Sequence, residues 1–171
     1  MSEWSIKLGL SALLTAACAF SGRAFCLKLQ RRAALLSELF TVLRPLRIAM
    51  LERLMPLPDA LRETEHISWI AIANSINDGM GVRSAWQQYR DEQLQPGHAL
   101  DCLTDADLRL LDLFFDQLGQ SGLIEQAVLM DIAETGMKRQ LDEAQAQFHE
   151  QSKLYSNLGL LLGLGISICL M

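Results

Sequence analysis

Aromatic residues make up only 6% of this 171-residue chain, and it has four prolines. Aromatic side chains favour pleated, half-buried surfaces, so their scarcity beside abundant Leu and Ala excludes a sheet-rich domain and predicts helices. The four cysteines, Cys18, Cys26, Cys102 and Cys169, have no C-x-x-C spacing. That excludes a disulfide framework and a thiolate zinc site. There is no G-x-S-x-G nucleophile turn and no G-x-x-x-x-G-K-[ST] phosphate loop, and Gly79-x-Gly81 lacks both a third glycine and a preceding strand. Half of the residues are hydrophobic against 20% charged, which excludes a disordered chain.

Charge is missing from two stretches. Residues 8–22 carry none, and neither do residues 154–171. The first stretch, Leu8 to Gly22, spans about 22 Å as a helix, short of a roughly 30 Å hydrocarbon core. Trp4, Lys7 and Arg23 would extend its reach as interfacial anchors. A signal anchor is therefore expected, with a cleaved secretory signal as the alternative. The second stretch has Lys153 and Tyr155 placed as anchors, and Gly159 and Gly163 form a G-x-x-x-G at the spacing that lets two membrane helices approach. Its alternative is a buried helix of a helical bundle.

The remaining charge is unevenly divided. Residues 23–53 carry seven basic and two acidic residues, and residues 54–153 carry seven basic and seventeen acidic ones. Arg23, Lys28, Arg31 and Arg32 follow the first apolar run while only Lys7 precedes it, so the positive-inside tendency keeps the middle in the cytoplasm. The expected organisation is an N-terminal transmembrane anchor (1–22), a cytoplasmic α-helical domain (23–153) and a C-terminal transmembrane segment (154–171). The basic face near Arg31 and Arg32 fits anionic headgroups and has no base-reading residues beside it, so nucleic acid is not an expected partner.

Within the middle, Phe25, Leu29, Ala33, Leu36, Phe40, Leu43 and Leu46 recur at helical spacing, and Pro45 should kink or end that helix. Short helices are expected from about Asp59 to His66, over Ile67 to Ile76, over Val82 to Leu94, and over Leu103 to Leu118 with Thr104 as N-cap. Turns are expected at 77–81 and 119–122. The last helix should run from Leu123 through Lys153 on a stripe of Ile124, Val128, Asp131, Met137, Leu141, Ala144 and Phe148, packing coiled-coil fashion against the first. The fold class is therefore all-α, an antiparallel helical bundle with long first and last helices and a membrane segment at each end.

No group presents itself for chemistry. Glu63-x-x-His66 has the spacing of a di-iron bundle ligand pair but no second copy, and His98 and His149 stand alone. Of the aspartates, Asp101, Asp105 and Asp107 sit where a helix start wants acids, and Asp112 and Asp116 are expected on the solvent face. No catalytic residue, metal ligand or cofactor is assigned. The candidates for partner contact are the two turns and their neighbours: Asn77, Gly79, Gly81, Gln117, Gly119, Ser121 and Gln126.

The stretch Phe115-Asp116-Gln117-Leu118-Gly119-Gln120-Ser121-Gly122, with Gln126 four residues on, resembles the F-G-x-x-L-G-x-S-D-x-x-x-Q stretch of the stage III sporulation protein AB family. Asp116 replaces its first glycine and Gly122 its acid. The C-terminus, from Lys153-Leu-Tyr155 to Ile168-Cys-Leu-Met171, is similar as well. The resemblance implies a non-enzymatic component of the channel, built from the stage III AA to AH proteins, that links mother cell and forespore. It implies a location in the mother-cell membrane facing the forespore, and a domain similar to type II secretion and type IV pilus platform proteins. It further implies docking of the secretion-type ATPase, the AA protein, and leaves a homo-oligomer open. A soluble or secreted helical-bundle adaptor is the competing reading.

Overall fold

The computed structural model describes residues 26–169, with side chains described as far as residue 151. Trp4, Lys7, Arg23 and the expected anchor over 1–22 lie outside this range. Lys153, Tyr155, Gly159 and Gly163 lie beyond the described side chains. Among residues with described side chains, no helix is long and apolar enough to cross a membrane. Both expected spans fall outside that stretch.

The described residues are helical and contain no strand. Helix α1 occupies residues 26–47 and passes into a π-turn at Ile48–Glu52. It is followed by α2 (Leu57–Glu63), α3 (Ile67–Asn77), α4 (Val82–Gln93), α5 (Asp105–Gln117) and α6 (Leu123–Cys169). The chain divides into two compact units, residues 34–142 and the two terminal stretches, up to 33 and from 143.

In the unit of residues 34–142 the short helices begin and end where local chemistry dictates. Pro58 stands in the first turn of α2, where its missing N–H costs nothing. Thr104 caps α5 by a reciprocal capping box: its Oγ1 accepts from the Asp107 N–H, and the Asp107 carboxylate accepts from the Thr104 N–H at 2.8 Å. Asp107 is thereby buried with its hydrogen bonds made. Pro45 does not end α1. The helix continues two residues past it as α and then widens into the π-turn, where the Arg53 N–H reaches the Ile48 carbonyl five residues back.

An aromatic core joins α3, α4 and α5. Trp86 stacks on Phe115 with ring centroids 4.6 Å apart, Phe114 meets Phe115 edge-on at 5.3 Å, and Trp69 lies against both phenylalanines. The spacing of Leu108, Leu111, Phe115 and Leu118 predicts the buried stripe of α5; Leu111, Phe115 and Leu118 are buried, Leu108 is half-buried, and Phe114, outside that stripe, is buried as well. Asp112 and Asp116 are not on the solvent face. Both are half-buried: Asp112 accepts from the Trp86 indole at 2.6 Å, both its carboxylate oxygens lie 3.0 Å from the single Arg90 Nη1, and Asp116 pairs with Arg83. The carboxylates face α4 because α4 supplies cations on its α5 side, which spacing within α5 alone does not reveal.

The long helices require a second correction. In α1 the buried line is Leu36, Leu39, Leu43 and Leu46, continued by Ala49 in the π-turn, with Phe40 only half-buried. In α6, Met137, Leu141 and Ala144 are buried as expected, but Ile124, Val128 and Asp131 face outward. Gln126, Leu129, Met130 and Ala133 occupy the inner face instead. Asp131 pairs with Arg47 of α1, which raises the Arg47 pKa above its ordinary value through that hydrogen bond and the neighbouring charge. In the unit of the terminal stretches, Arg32 is buried and its guanidinium donates to Gln147 at 2.9 Å. Among the described side chains Cys26 and Cys102 are in no disulfide, and the Cys102 thiol donates to the Ala99 carbonyl at 3.5 Å.

Candidate functional site

The structure gathers the seven candidate contact residues into two separate turns. Gln117, Gly119, Ser121 and Gln126 meet at the α5–α6 turn. The Gln126 side chain, 4% exposed, lies at its centre. Its Oε1 accepts from the Gly119 N–H at 3.1 Å, and its Nε2 donates to the Gln117 carbonyl at 3.0 Å and to the Ser121 hydroxyl at 2.8 Å. One carboxamide therefore bonds a carbonyl at the end of α5, an N–H of the turn and a turn hydroxyl at once. Gly119 adopts φ +74°, and a Cβ there would stand 3.0 Å from the Leu57 side chain. The glycine is required by conformation and by the packing of α2 against the turn. Sequence reasoning placed Gln126 beside the turn but not inside it. Its position seven residues after Gly119, on the face that α6 buries, is the signal that would have found the clasp.

Asn77, Gly79 and Gly81 form the α3–α4 turn. Gly79 has φ +95° and open space around it, and Gly81 is the N-cap residue of α4. Arg62 of α2 reaches this turn, donating to the Asn74 side chain at 2.8 Å. The Asn77 carboxamide, with its oxygen toward Arg62, accepts from both terminal nitrogens at 2.6 and 2.7 Å. The Met80 N–H closes the turn on the Ser75 carbonyl.

A shallow cleft of about 310 Å³ lies between α1 and the α2–α3 link, lined by Ser37, Glu38, Thr41, Val42, Thr64, Glu65 and His66. Burial lowers the His66 pKa, against the attraction of Glu38, whose carboxylate lies 3.8 Å from Nε2; Nδ1 has no hydrogen-bond partner. Glu63, which shares a Glu-x-x-His spacing with His66, pairs with Arg53. Among the described residues no group of three or more His, Cys, Asp or Glu side chains is arranged to hold a metal ion. Asp107 serves in the α5 cap and Asp112 in an ion pair, and Asp105 stands exposed in the first turn of α5, so the three do not converge on a common point.

What these features define is a class of protein: an all-helical chain whose polar side chains are spent on clasping turns and pairing helices. The chain belongs to the stage III sporulation protein AB family, whose model matches residues 7–171. No curated protein and no solved structure matches it. Family membership gives the chain a part in stage III of sporulation.

Proposed function

We propose that the chain is a non-enzymatic, membrane-anchored scaffold of the channel between mother cell and forespore, platform-like in its helical domain, and that it docks the secretion-type ATPase, the AA protein, together with other stage III channel proteins. The observation that carries this reading is α6. It leaves the compact helical unit and continues without a break to Cys169, through the uncharged run that begins at Leu154. A helix built this way suits a protein whose folded part is held at a bilayer. Within residues 34–142 Arg47 of α1 pairs with Asp131 of α6, and within the terminal unit Arg32 of α1 donates to Gln147 of α6, so in each unit taken by itself the two long helices are tied together. The acidic middle favours a basic partner surface, with charge acting on association rate and register.

Reporter fusions after Leu27 and at Met171, with carbonate extraction of membranes, test the anchoring. Extraction-resistant protein with a cytoplasmic Leu27 reporter and an exported C-terminal one is the expected result, followed by co-purification of the AA protein. Release by carbonate, or a processed N-terminus with an exported domain, would replace the scaffold with the helical-bundle adaptor.

A further inference from the structure

His66 is held in a seat that suits it uncharged. It opens α3 as the N-cap residue, and its ring meets the buried Trp69 indole in an edge-on arrangement, centroids 6.3 Å apart. The side chain is 13% exposed, Nε2 faces Glu38 of α1, and Nδ1 is buried with no hydrogen-bond partner. A neutral imidazole carries one N–H, and placing it on Nε2 leaves Nδ1 a bare acceptor. Protonation puts a second N–H on Nδ1, stranded without an acceptor, and adds a positive charge at the start of a helix, where the dipole disfavours it. The Glu38 carboxylate, 3.8 Å away, attracts that charge, but it is 66% exposed and solvent screens it. Burial, the larger influence, lowers the His66 pKa against the pull of Glu38.

Beside this seat lies a space of the opposite character. The cleft of about 310 Å³ between α1 and the α2–α3 link presents the carboxylates of Glu38 and Glu65 and the hydroxyls of Ser37, Thr41 and Thr64, with no lysine or arginine among its described lining residues. Glu63 of α2 is paired with Arg53, and α3 lends the cleft no charged group. The backbone around His66 is committed: its carbonyl accepts from the Trp69 and Ile70 N–H groups at 3.0 and 2.9 Å, and Glu65 turns the chain at φ +56° just before it. Movement is thereby confined to the side chain. We infer that His66 is a two-position switch: neutral, it packs on Trp69; protonated, its ring swings into the cleft, where Glu38, Glu65 and the hydroxyls accept from both ring nitrogens. Acidification then loosens the seam between α1 and the start of α3 while Trp86, Phe114 and Phe115 stay packed. The switch is independent of the scaffold reading, since it needs neither a partner nor a membrane.

The test uses the full chain in phosphatidylcholine nanodiscs, with ring-labelled histidine and fluorotryptophan read by nuclear magnetic resonance. The histidine line lost in His66→Gln assigns His66, and Trp4→Phe and Trp69→Phe assign the three tryptophans. As His66 titrates, its nuclear Overhauser contact with Trp69 is expected to disappear and the Trp69 fluorine line to shift in step, while the Trp86 line stays in place. In His66→Gln the Trp69 line no longer follows pH. Glu38→Gln with Glu65→Gln, both at exposed positions, lowers the His66 midpoint by about half a pH unit or more, because the charged position loses its carboxylates; this variant decides the matter if His66→Gln disturbs folding. A His66 that titrates with the Trp69 contact intact, a Trp69 shift retained in His66→Gln, or an unchanged midpoint in the double variant would overturn the inference. So would joint loss of the Trp69 and Trp86 lines during the titration, or a His66 that stays neutral until the chain unfolds, since either makes acid unfolding the event and not the swing of one ring.

Discussion

The turns at 77–81 and 118–122 both join consecutive helices and both depend on a glycine with positive φ, yet they are held in opposite ways. At 118–122 the holding group is internal. Gln126 fills the turn from α6, and Leu57 packs on Gly119. At 77–81 the holding group comes from outside, through Arg62, and Gly79 faces open space. A turn whose polar groups are consumed from within contributes stability; one left open keeps its surface for other contacts. The same short stretch of glycine and polar residues can thus be a structural clasp or an available surface, and only the neighbours decide.

Substitutions put numbers on this contrast. Gln126→Leu should cost most, about 2–3 kcal/mol, because it strips the part-buried Gly119 N–H and the Ser121 hydroxyl of their side-chain partner and leaves the Gln117 carbonyl only the longer bond from the Gln120 N–H. Denaturant unfolding of the full chain in detergent measures it, and a loss near zero would show that water replaces the clasp. Gly119→Ala should cost about 2 kcal/mol, combining the left-handed backbone penalty with displacement of Leu57, whereas Gly79→Ala should cost about 1 kcal/mol from backbone conformation alone. Equal costs would erase the distinction between the two turns. Asn77→Ala should cost about 0.5 kcal/mol or less, since its bonds to Arg62 are solvent-exposed.

Acidification acts on the helix that leads to the open turn. Burial lowers the His66 pKa, so around pH 6.5 the unfolded chain holds the proton more readily than the folded one. Stability is complete above the ordinary histidine range and declines as pH falls through it toward the folded pKa. Glu38 moderates the decline by attracting the imidazolium. His66→Gln should flatten the pH dependence of thermal unfolding in this window while leaving the Gln126→Leu deficit unchanged.

Much of this fold was legible because its signals are local. Thr104 as a cap, Pro58 in a first turn and the glycines of both turns state their roles through backbone geometry that a few residues determine. Burial is different. Spacing shows that α6 has an aliphatic line through Ile124 and Val128, but not that this line faces outward while Gln126 and Met130 face inward. Asp112 and Asp116 were misread for the same reason, since their environment is set by Arg90 and Arg83 on another helix. The candidate contact residues were legible as two turns. What each turn's polar groups are bonded to was not, because that depends on how Arg62 of α2 and the first turn of α6, which carries Gln126, fold back onto them.

The π-turn at Ile48–Glu52 carries a consequence for length variation in this part of the chain. A π-turn contains one residue more than the α-helical path it replaces, so removing any single residue there allows regular α geometry to close across the gap. Because the wide turn spends the extra residue on the same revolution that α-helix completes with one fewer, such a deletion would leave the chain departing in nearly the same direction. Leu54, held at φ +53°, and the entry into α2 would then start from nearly the same side. A one-residue deletion in 48–52 should therefore be tolerated far better than one in the regular turns of α1, where each residue lost turns everything after it by about 100°.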